Sequence, residues 1–379
     1  MASRRPANGA GNEGPPGRPT QPAIEGAGIR LATLRRKLIR RALPDRSQAQ
    51  RRSFQLAFLL LNLWLGGTFY VWVRHIETGT HDRQMIRPAG VEGWLPIAGL
   101  MNLKYWLSTG RIPASHPAAL FLLVTFLAIA FLLRKAFCSW LCPVGTLSEY
   151  LWRAGRQIFG RNFQLPRWLD LPLRSLKYLL LGFFVWAVAN MSGDVIEQFM
   201  RSPYGAIADV RILNFFRELS ETAAIVLGFL VVSSVLVQNF WCRYLCPYGA
   251  LLGLASLLSP LRIRRSVPAC IDCARCAKAC PSALPVDKLI AIKSAECTGC
   301  LECVAVCPSE GALHLALPRW TRSPNDGRLP SWAMAAGIAV LLFGIVGYAK
   351  STSHWTGDVP DYMYRQLVPR ANNVNHPSE

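Results

Sequence analysis

The stretch CIDCARCAKACP, residues 270–281, and the stretch CTGCLECVAVCP, residues 297–308, share one cysteine spacing. Each follows the pattern C-x2-C-x2-C-x3-C-P, the bacterial run in which three cysteines hold one iron–sulfur cubane and the fourth ligates a second one. The two runs therefore predict two [4Fe-4S] clusters. The first would take Cys270, Cys273, Cys276 and Cys307, and the second Cys297, Cys300, Cys303 and Cys280.

Zinc is the alternative metal for four-cysteine sites, but zinc ribbons separate two C-x2-C pairs and do not show a triple run followed by C-P. Pro281 and Pro308 turn the chain away from the ligands, because proline cannot continue a helix. Residues 282–296, between the runs, leave room for one helix and one strand. We therefore expect a compact α+β ferredoxin domain of the bacterial type over residues 261–320.

Outside these runs the chain has the composition of a membrane protein. It has 379 residues, of which 51% are hydrophobic, and a formal net charge of +20. Five apolar stretches approach the ~20 residues that a spanning helix needs. They cover residues 54–73, 117–133, 178–191, 222–241 and 331–349.

Most of the basic residues lie in three segments: before the first apolar stretch, between the second and the third, and between the fourth and the fifth. By the positive-inside rule these segments are cytoplasmic, so the N-terminus lies inside and the C-terminus outside. The charge is then a topological signal, and we expect no nucleic-acid partner. All 12 cysteines fall in or beside the cytoplasmic segments, where structural disulfides are rare.

These patterns predict an α-helical integral protein of the bacterial cytoplasmic (inner) membrane, with about five transmembrane helices and an inserted cytoplasmic ferredoxin domain. Membrane lipids are then expected partners. The expected order is a disordered, basic cytoplasmic tail (1–52), a four-helix membrane domain (53–260), the ferredoxin domain (261–320), a fifth transmembrane helix (331–349) and an outer, periplasmic tail (350–379).

A weak internal repeat places FCSWLCPVG, residues 137–145, against WCRYLCPYG, residues 241–249. Two cysteines, a proline and a glycine align. Both segments follow an apolar stretch that crosses inward, which predicts a parallel duplication of helix pairs about a pseudo-two-fold axis along the membrane normal.

Local rules predict the shape of these C-x3-C-P segments. The residue before a proline is driven out of helical geometry, so Cys142 and Cys246 are expected to end helices at the inner membrane face. Gly145 and Gly249 would allow close backbone approach. The neighbouring cations, Arg134, Lys135 and Arg243, are mainly topological charges, although nearby cations also lower the pKa of thiols.

Three interpretations of the four thiols in these segments stay open. They could be small buried residues that let helices pack, or each pair could be a dithiol that opens and closes or binds a metal transiently. We favour a third interpretation, in which the pseudo-two-fold axis brings the four together as one redox or metal site. Its ligands would be Cys138, Cys142, Cys242 and Cys246.

On the outer side, residues 90–110 are apolar and aromatic but broken by glycine and proline, which suits an interfacial or re-entrant segment. Quinol oxidation needs a proton acceptor beside an apolar slot, and His75, Glu92 and His116 are candidates for a quinone site by their position. A histidine at a helix end is also often only an interfacial residue. A haem between His75 and His116 is a weaker alternative, because nothing fixes their spacing.

With two C-x3-C-P segments before two ferredoxin runs, residues 54 to about 318 resemble the NapH and NosR family of membrane-bound ferredoxin-type proteins. The resemblance implies electron transfer between the quinone pool or a cytoplasmic donor and a redox partner protein, often one on the periplasmic side. The chain shows no substrate chemistry of its own, so it would be a carrier or the quinol-oxidising subunit of a larger reductase system. A related branch serves copper-oxidase assembly. A redox assembly or maturation factor for a metalloenzyme is therefore the alternative function.

Overall fold

The computed structural model describes residues 45–79, 85–163, 165–317 and 328–376, and most of these residues are helical. The α-helices are α1 (Ser47–Thr78), α2 (Pro96–Thr109), α3 (Pro117–Leu133), α4 (Ala136–Trp140), α5 (Pro143–Phe159), α6 (Arg167–Ala189), α7 (Gly193–Arg201), α8 (Pro203–Ala206), α9 (Ala208–Arg217), α10 (Glu221–Leu236), α11 (Pro247–Leu257), α12 (Arg275–Ala279), α13 (Glu302–Ala305), α14 (Trp332–Ser351) and α15 (Asp361–Leu367). Two 3-10 helices cover Ala89–Trp94 and Val368–Asn373, and a π-helical turn covers Trp241–Leu245.

Within the described residues, three helices are long and apolar enough to cross a membrane, namely α1, α6 and α14. A fourth crossing results if α9 and α10, which are bent by 83° at the break between them, count as one span. The expectation of five spans is therefore matched only in part. The second predicted span is α3, with 17 residues, and the fourth is α10, with 16. Both helices stop just before a C-x3-C-P segment, which breaks the helix.

Two predicted spans also begin earlier than their apolar stretches. Helix α1 starts at Ser47, inside the predicted tail, and α6 starts at Arg167 and tolerates Pro172 near its beginning. The remainder of the predicted tail, residues 1–44, lies outside the described residues.

The buried core runs without interruption from the membrane helices into the ferredoxin domain. One cluster of buried apolar side chains joins Phe126 of α3 and Trp140 of α4 to Leu252 of α11, Ile263 and Leu313. Burying a large apolar side chain stabilises a fold by roughly 1.5–3 kcal/mol. The two regions are therefore packed as one unit, without a flexible linker between them.

The ferredoxin domain is built around an antiparallel sheet of three strands in the order β1 (Arg262–Arg265), β2 (Leu313–Ala316), β3 (Arg328–Leu329). In its register Arg262 pairs with Ala316, and Leu315 pairs with Leu329. The sheet thus reaches past the predicted boundary at residue 320. The helix predicted between the two cysteine runs is wrong, because residues 282–296 form turns with a single β-bridge from Ala291 to Arg264.

The C-terminal tail folds back onto the opposite end of the membrane helices. Tyr364 and Val368 are buried in a cluster with Phe69 and Trp72 of α1 and Ile207. Residues 90–110, predicted as an interfacial or re-entrant segment, form the first 3-10 helix and α2, whose Met101 and Tyr105 are buried. This end is therefore a packed layer of short helices.

Candidate metal centres

Both ferredoxin runs fold into the same tight loop. In each run the residue two before the third cysteine, Ala274 or Leu301, takes a left-handed backbone conformation, with φ of 55° and 57°. A short helix follows and carries the third cysteine, Cys276 on α12 or Cys303 on α13. The fourth cysteine of each run lies beyond that helix, as expected for a ligand of the other cluster.

The structure brings the two predicted ligand sets together. The thiols predicted for the first cluster line one small cavity; they are Cys270, Cys273, Cys276 and Cys307. The second set is also assembled, because charges on Cys280 and Cys297 act on both Cys300 and Cys303. The exchange of the fourth cysteine between the runs is thus the arrangement that the fold supports.

The two C-x3-C-P segments also share one local structure, which goes beyond the expectation. Cys246 is the C-cap of the π-helical turn, as expected, and Cys142 follows Leu141, the C-cap of α4. Each cysteine is also the N-cap residue of the next helix, α5 or α11, with proline at the first helical position, where its missing N–H is not needed. The backbone N–H of Gly145 donates to Sγ of Cys142 at 3.5 Å, and that of Gly249 donates to Sγ of Cys246 at 3.2 Å. Both sulfurs therefore lie at helix N-termini, where negative charge is stabilised.

The expected close approach at the two glycines holds for one of them. A Cβ atom on Gly145 would lie 2.2 Å from the carbonyl oxygen of Cys138, so only glycine fits there. A Cβ atom on Gly249 would have its nearest neighbour, Sγ of Cys246, at 3.5 Å, which is ordinary contact. The two segments are thus equivalent in hydrogen bonding but not in packing.

The four thiols of the two segments meet at one cavity of about 1060 Å³ within the membrane domain. Cys138, Cys142, Cys242 and Cys246 all line it. Their charges also act on one another, since Cys138, Cys142 and Cys246 each influence Cys242. The structure therefore brings together the residues of the predicted third site.

Lys135 shows what kind of group fits this site. Its side chain is buried, with 3% of the residue exposed, and it lines the same cavity. Among the described residues its ammonium has no direct hydrogen bond or ion pair, and its charge acts on Cys138, Glu296, Cys242 and Cys246. Glu296 is already paired with Lys177 at 2.6 Å, and a buried cation without a direct partner is costly. An anion in the cavity would supply the partner, and a metal cluster held by four thiolates is such an anion.

The other two cations near the thiols have different roles. Arg134 donates hydrogen bonds to the carbonyl oxygens of Ser256 and Ser294, and Arg243 forms an ion pair with Asp170. The expected lowering of the thiol pKa is not found. Burial raises the pKa of Cys138 to about 11, and the charge of Lys135 opposes this rise only in part.

The geometry suits a cluster more than a single ion. Among the described residues, no three Cys, His, Asp or Glu side chains are close enough to hold one metal ion. A cubane binds each thiolate at a different iron corner, so its ligands lie farther apart. The four thiols, the two helix N-termini and Lys135 together fit a [4Fe-4S] group.

The loop of the second ferredoxin run docks directly on the first C-x3-C-P segment. Nε1 of Trp140 donates to the carbonyl oxygen of Gly299 at 3.2 Å, and Oγ of Ser139 donates to that of Thr298 at 2.7 Å. Cys300 lines the cavity that also holds the four thiols. The predicted second cluster and the third site therefore share a wall.

Two buried cations, which the sequence patterns did not reveal, secure this docking through ion pairs. Lys177 of α6 is fully buried, and its Nζ lies 2.6 Å from Oε1 of Glu296, the residue before Cys297. Arg51 of α1 pairs with Glu149 at 2.6 Å and with Glu302 at 3.2 Å. Helices α1 and α6 thus hold the loop from two sides.

At the end of the membrane helices opposite the ferredoxin domain, Glu92 and His116 come into contact, as a shared site would require, with Nδ1 of His116 3.2 Å from Oε1 of Glu92. Arg87 pairs with Glu92 at 2.8 Å and with Asp209 at 2.6 Å. Burial alone would lower the pKa of His116, but the hydrogen bond and the charge of Glu92 outweigh it and raise that pKa. These groups form a saturated ion-pair network.

The remaining sequence candidate is His75, which lies half-buried in the last turn of α1. Nε2 of His116 lies 2.8 Å from the carbonyl oxygen of Gly205, so both ring nitrogens of His116 are engaged within the protein. Neither nitrogen is then available to a haem iron, and the haem alternative has no support.

Comparison with known proteins agrees with this geometry. A family model described as a 4Fe-4S binding domain matches residues 115–165 and 221–266, the two C-x3-C-P segments with the helices around them. A second model, described as a 4Fe-4S dicluster domain, matches residues 262–308. No solved structure matches the chain.

Several curated proteins are similar over long stretches. The putative electron transport protein YccM of Escherichia coli is 48% identical over 326 residues, which are 86% of this chain and 91% of YccM. The ferredoxin-type protein NapH of Escherichia coli is 23% identical over 57% of this chain and 70% of its own length. The regulatory protein NosR of Pseudomonas aeruginosa is 32% identical over 50% of this chain and 26% of its own length. The chain therefore belongs to the NapH/NosR-type family of polyferredoxin-like membrane proteins.

Proposed function

We propose that the protein is a membrane-bound electron carrier with three iron–sulfur centres in series. The single observation that carries this proposal is the shared cavity: the four C-x3-C-P thiols and Cys300 of the second ferredoxin run line the same space. Two ferredoxin clusters alone would need only eight of the 12 cysteines. The other four would hold a third cluster at the inner end of the membrane domain.

The chain's own residues would position and tune these centres. A [4Fe-4S] cluster supplies one-electron oxidation and reduction at a potential set by its charge, hydrogen bonds and exposure. Gly145 and Gly249 donate backbone hydrogen bonds to two of the sulfurs, and Lys135 places a buried positive charge beside them. Both features favour the more negative, reduced form.

The direction of the path follows from exposure. Cys273 of the first cluster set is exposed, whereas Cys303 of the second set is buried. An electron would therefore pass between the membrane cavity, the third centre, the second cluster and the first cluster in that order. The name of YccM, a putative electron transport protein, supports this role.

The partners follow from the same path. At the membrane end we propose exchange with the quinone pool, and at the ferredoxin end exchange with a redox protein or a cytoplasmic donor. The charge distribution supports an inner-membrane protein whose ferredoxin domain lies in the cytoplasm. A periplasmic partner would have to reach the packed outer layer.

Anaerobic purification with iron counting and electron paramagnetic resonance tests the proposal. We expect about 12 irons per chain, from about four per cubane. The Cys142→Ala/Cys246→Ala variant should lose about four irons and keep the spin-coupled pair of ferredoxin clusters. As the matched control, Cys273→Ala should disturb the ferredoxin pair and leave the third centre. About eight irons in both the wild type and the double variant, or zinc in place of iron, would overturn the three-centre proposal.

A second measurement separates a carrier from a maturation factor. The dithionite-reduced protein is mixed with a quinone analogue, and reoxidation of the clusters is followed by their visible absorption. If the protein is a carrier, the quinone analogue should reoxidise its clusters on the time scale of enzymatic turnover. Clusters that neither give electrons to the quinone nor accept them from the quinol would favour the assembly or maturation role.

A further inference from the structure

The cavity at the four thiols is far longer than a cluster requires. From the thiols it runs through the membrane domain along α1, α3 and α14, past Leu122 and Val346, to Trp94 and Lys350 at the outer end. Its volume, about 1060 Å³, lies at the upper end of the range of pockets for small molecules, roughly 300–1,000 Å³. It has room for a second ligand besides the metal cluster.

The walls of this cavity open sideways. Leu61 and Trp64 of α1 and Phe343 of α14 line it and are nevertheless 41%, 64% and 70% exposed. These residues lie in the middle of the spanning helices, so the exposed face meets the lipid chains. A ligand would therefore enter from the bilayer, which selects a molecule that is soluble in lipid.

Tyr248 provides a polar group at the inner end of this apolar space. Its ring is held edge-on against Phe126 and Phe137, with centroid distances of 6.4 Å and 6.0 Å. It lines the cavity, and charges on Cys138 and Cys142 act on its hydroxyl. Among the described residues this hydroxyl has no hydrogen-bond partner. Pockets commonly use a few such polar groups to fix the orientation of an apolar ligand.

We propose that an isoprenoid quinone binds in this cavity, with a ring carbonyl accepting a hydrogen bond from Tyr248 and the isoprenoid chain leaving between α1 and α14. This assignment rests on the proposed carrier function and places its membrane substrate. A quinol bound there loses two electrons and two protons on oxidation to the quinone. The electrons would go one at a time to a cluster held by the four thiols. The protons would leave to water at the inner end of the cavity; Glu149 lines that end but is already paired with Arg51 and Arg153, so it is not assigned as their acceptor.

The outer candidates serve this role less well. Glu92 and His116 are satisfied by each other, by Arg87 and by the backbone, so they offer no free group to a ring. Arg87 lines the cavity at the end away from the thiols. Electron transfer needs closely spaced centres, and Tyr248 lies beside the thiols.

Binding of decylubiquinone and of a short-chain menaquinone analogue to the purified, cluster-loaded protein tests the assignment. We expect Tyr248→Phe to raise the Kd for the analogue about three- to tenfold, the loss of one hydrogen bond. Iron content and the resonance spectrum should stay unchanged. Val346→Trp, which fills the cavity, should raise the Kd by at least tenfold. Its matched control on the same helix is Val340→Trp, since Val340 is 70% exposed and does not line the cavity.

Three outcomes would overturn the assignment while leaving the carrier proposal intact: both cavity variants bind the analogues like the wild type, His116→Gln weakens binding more than Tyr248→Phe does, or solvent extraction of the purified protein yields phospholipid and no isoprenoid quinone. Loss of clusters from the wild-type protein would instead refute the proposed function. The two failures are thus distinguishable by iron content alone.

Discussion

Replacing Gly145 by alanine tests whether the first C-x3-C-P segment is built around its cysteines. The new Cβ would lie 2.2 Å from the carbonyl oxygen of Cys138 and 3.3 Å from its carbonyl carbon. Both are backbone atoms, so no side-chain rotation relieves the clash. Overpacking of this kind costs up to about 3 kcal/mol. Alanine recovers up to about 1 kcal/mol of helix propensity. The net destabilisation is about 2 kcal/mol, and it moves Cys138, a proposed ligand.

The equivalent glycine in the second segment is the matched control. The nearest contacts of a Cβ on Gly249 are at 3.5 and 3.6 Å, so Gly249→Ala has no clash and should be neutral or stabilising by up to about 1 kcal/mol. The difference between the two variants isolates the clash. It should be about 3 kcal/mol, or about a hundredfold in the folding equilibrium.

Unfolding of the detergent-solubilised protein, followed by tryptophan fluorescence, measures the two stabilities, and iron content measures the third centre. Gly145→Ala should lose iron and stability, and Gly249→Ala should lose neither. Equal effects in the two variants would refute the reasoning, because they would mean that the close approach at Cys138 does not hold the site together.

Three further results are expected. Lys135→Met should lower the reduction potential of the third centre by about 50–100 mV in a redox titration. This shift corresponds to roughly 1–2 kcal/mol of Coulomb energy at an effective dielectric constant near 20. Lys135→Arg keeps the positive charge, so its reduction potential should stay close to that of the wild type. Arg51→Met should destabilise the protein by about 1.5–3 kcal/mol, because Glu149 loses its bidentate partner and keeps only Arg153 and Gln55, and the added change Glu149→Leu should recover most of the loss in a thermal unfolding assay. The raised pKa of His116 stabilises the fold below the ordinary pKa of histidine, and this contribution is lost as the pH rises through the raised value. The unfolding temperature should therefore fall with rising pH in that window, and His116→Gln should remove this dependence.

The cysteine patterns predict ligand sets whose residues the fold brings together, because ligand spacing is a local property. A C-x2-C-x2-C loop fixes three thiols regardless of the rest of the fold, and Ala274 and Leu301 take the same left-handed conformation in the two runs. The twin C-x3-C-P segments likewise share a local cap. Their role as helix starts was not predicted, because the rule for residues before proline says only that a helix does not continue. Proline also favours the first position of a new helix.

The parts that the sequence did not reveal depend on long-range contacts. Lys177 directly precedes the third apolar stretch, residues 178–191, yet it is buried against Glu296, 119 residues away. Arg51 read as part of a basic tail and proved to be a buried partner of Glu149 and Glu302. Charge counts give topology, but a buried ion pair depends on two positions that only the fold brings together.

The candidates for a quinone site show the same limit of sequence reasoning, because long-range contacts decide which groups are available. Sequence reasoning sought titratable groups near an apolar slot and chose His75, Glu92 and His116, which are ionisable and lie at a predicted membrane boundary. The structure pairs Glu92 with both Arg87 and His116, so each of these groups already has its counter-charge. Tyr248 lies inside the second C-x3-C-P segment, and the sequence did not single it out. Its hydroxyl draws attention only once the cavity beside it is known.

The asymmetry between the two ferredoxin clusters gives the carrier its polarity. The second run is hydrogen-bonded to α4 through Thr298 and Gly299, while Cys273 of the first run is exposed. If the first run were docked on α4 in place of the second, the second cluster would be the exposed one. The four membrane thiols would then face the loop of the first run. In the proposed carrier a soluble partner would therefore approach the loop that carries Cys273, and a lipid-soluble partner would approach from the opposite end, through the cavity. A centre at the membrane thiols would lie between them, within reach of both.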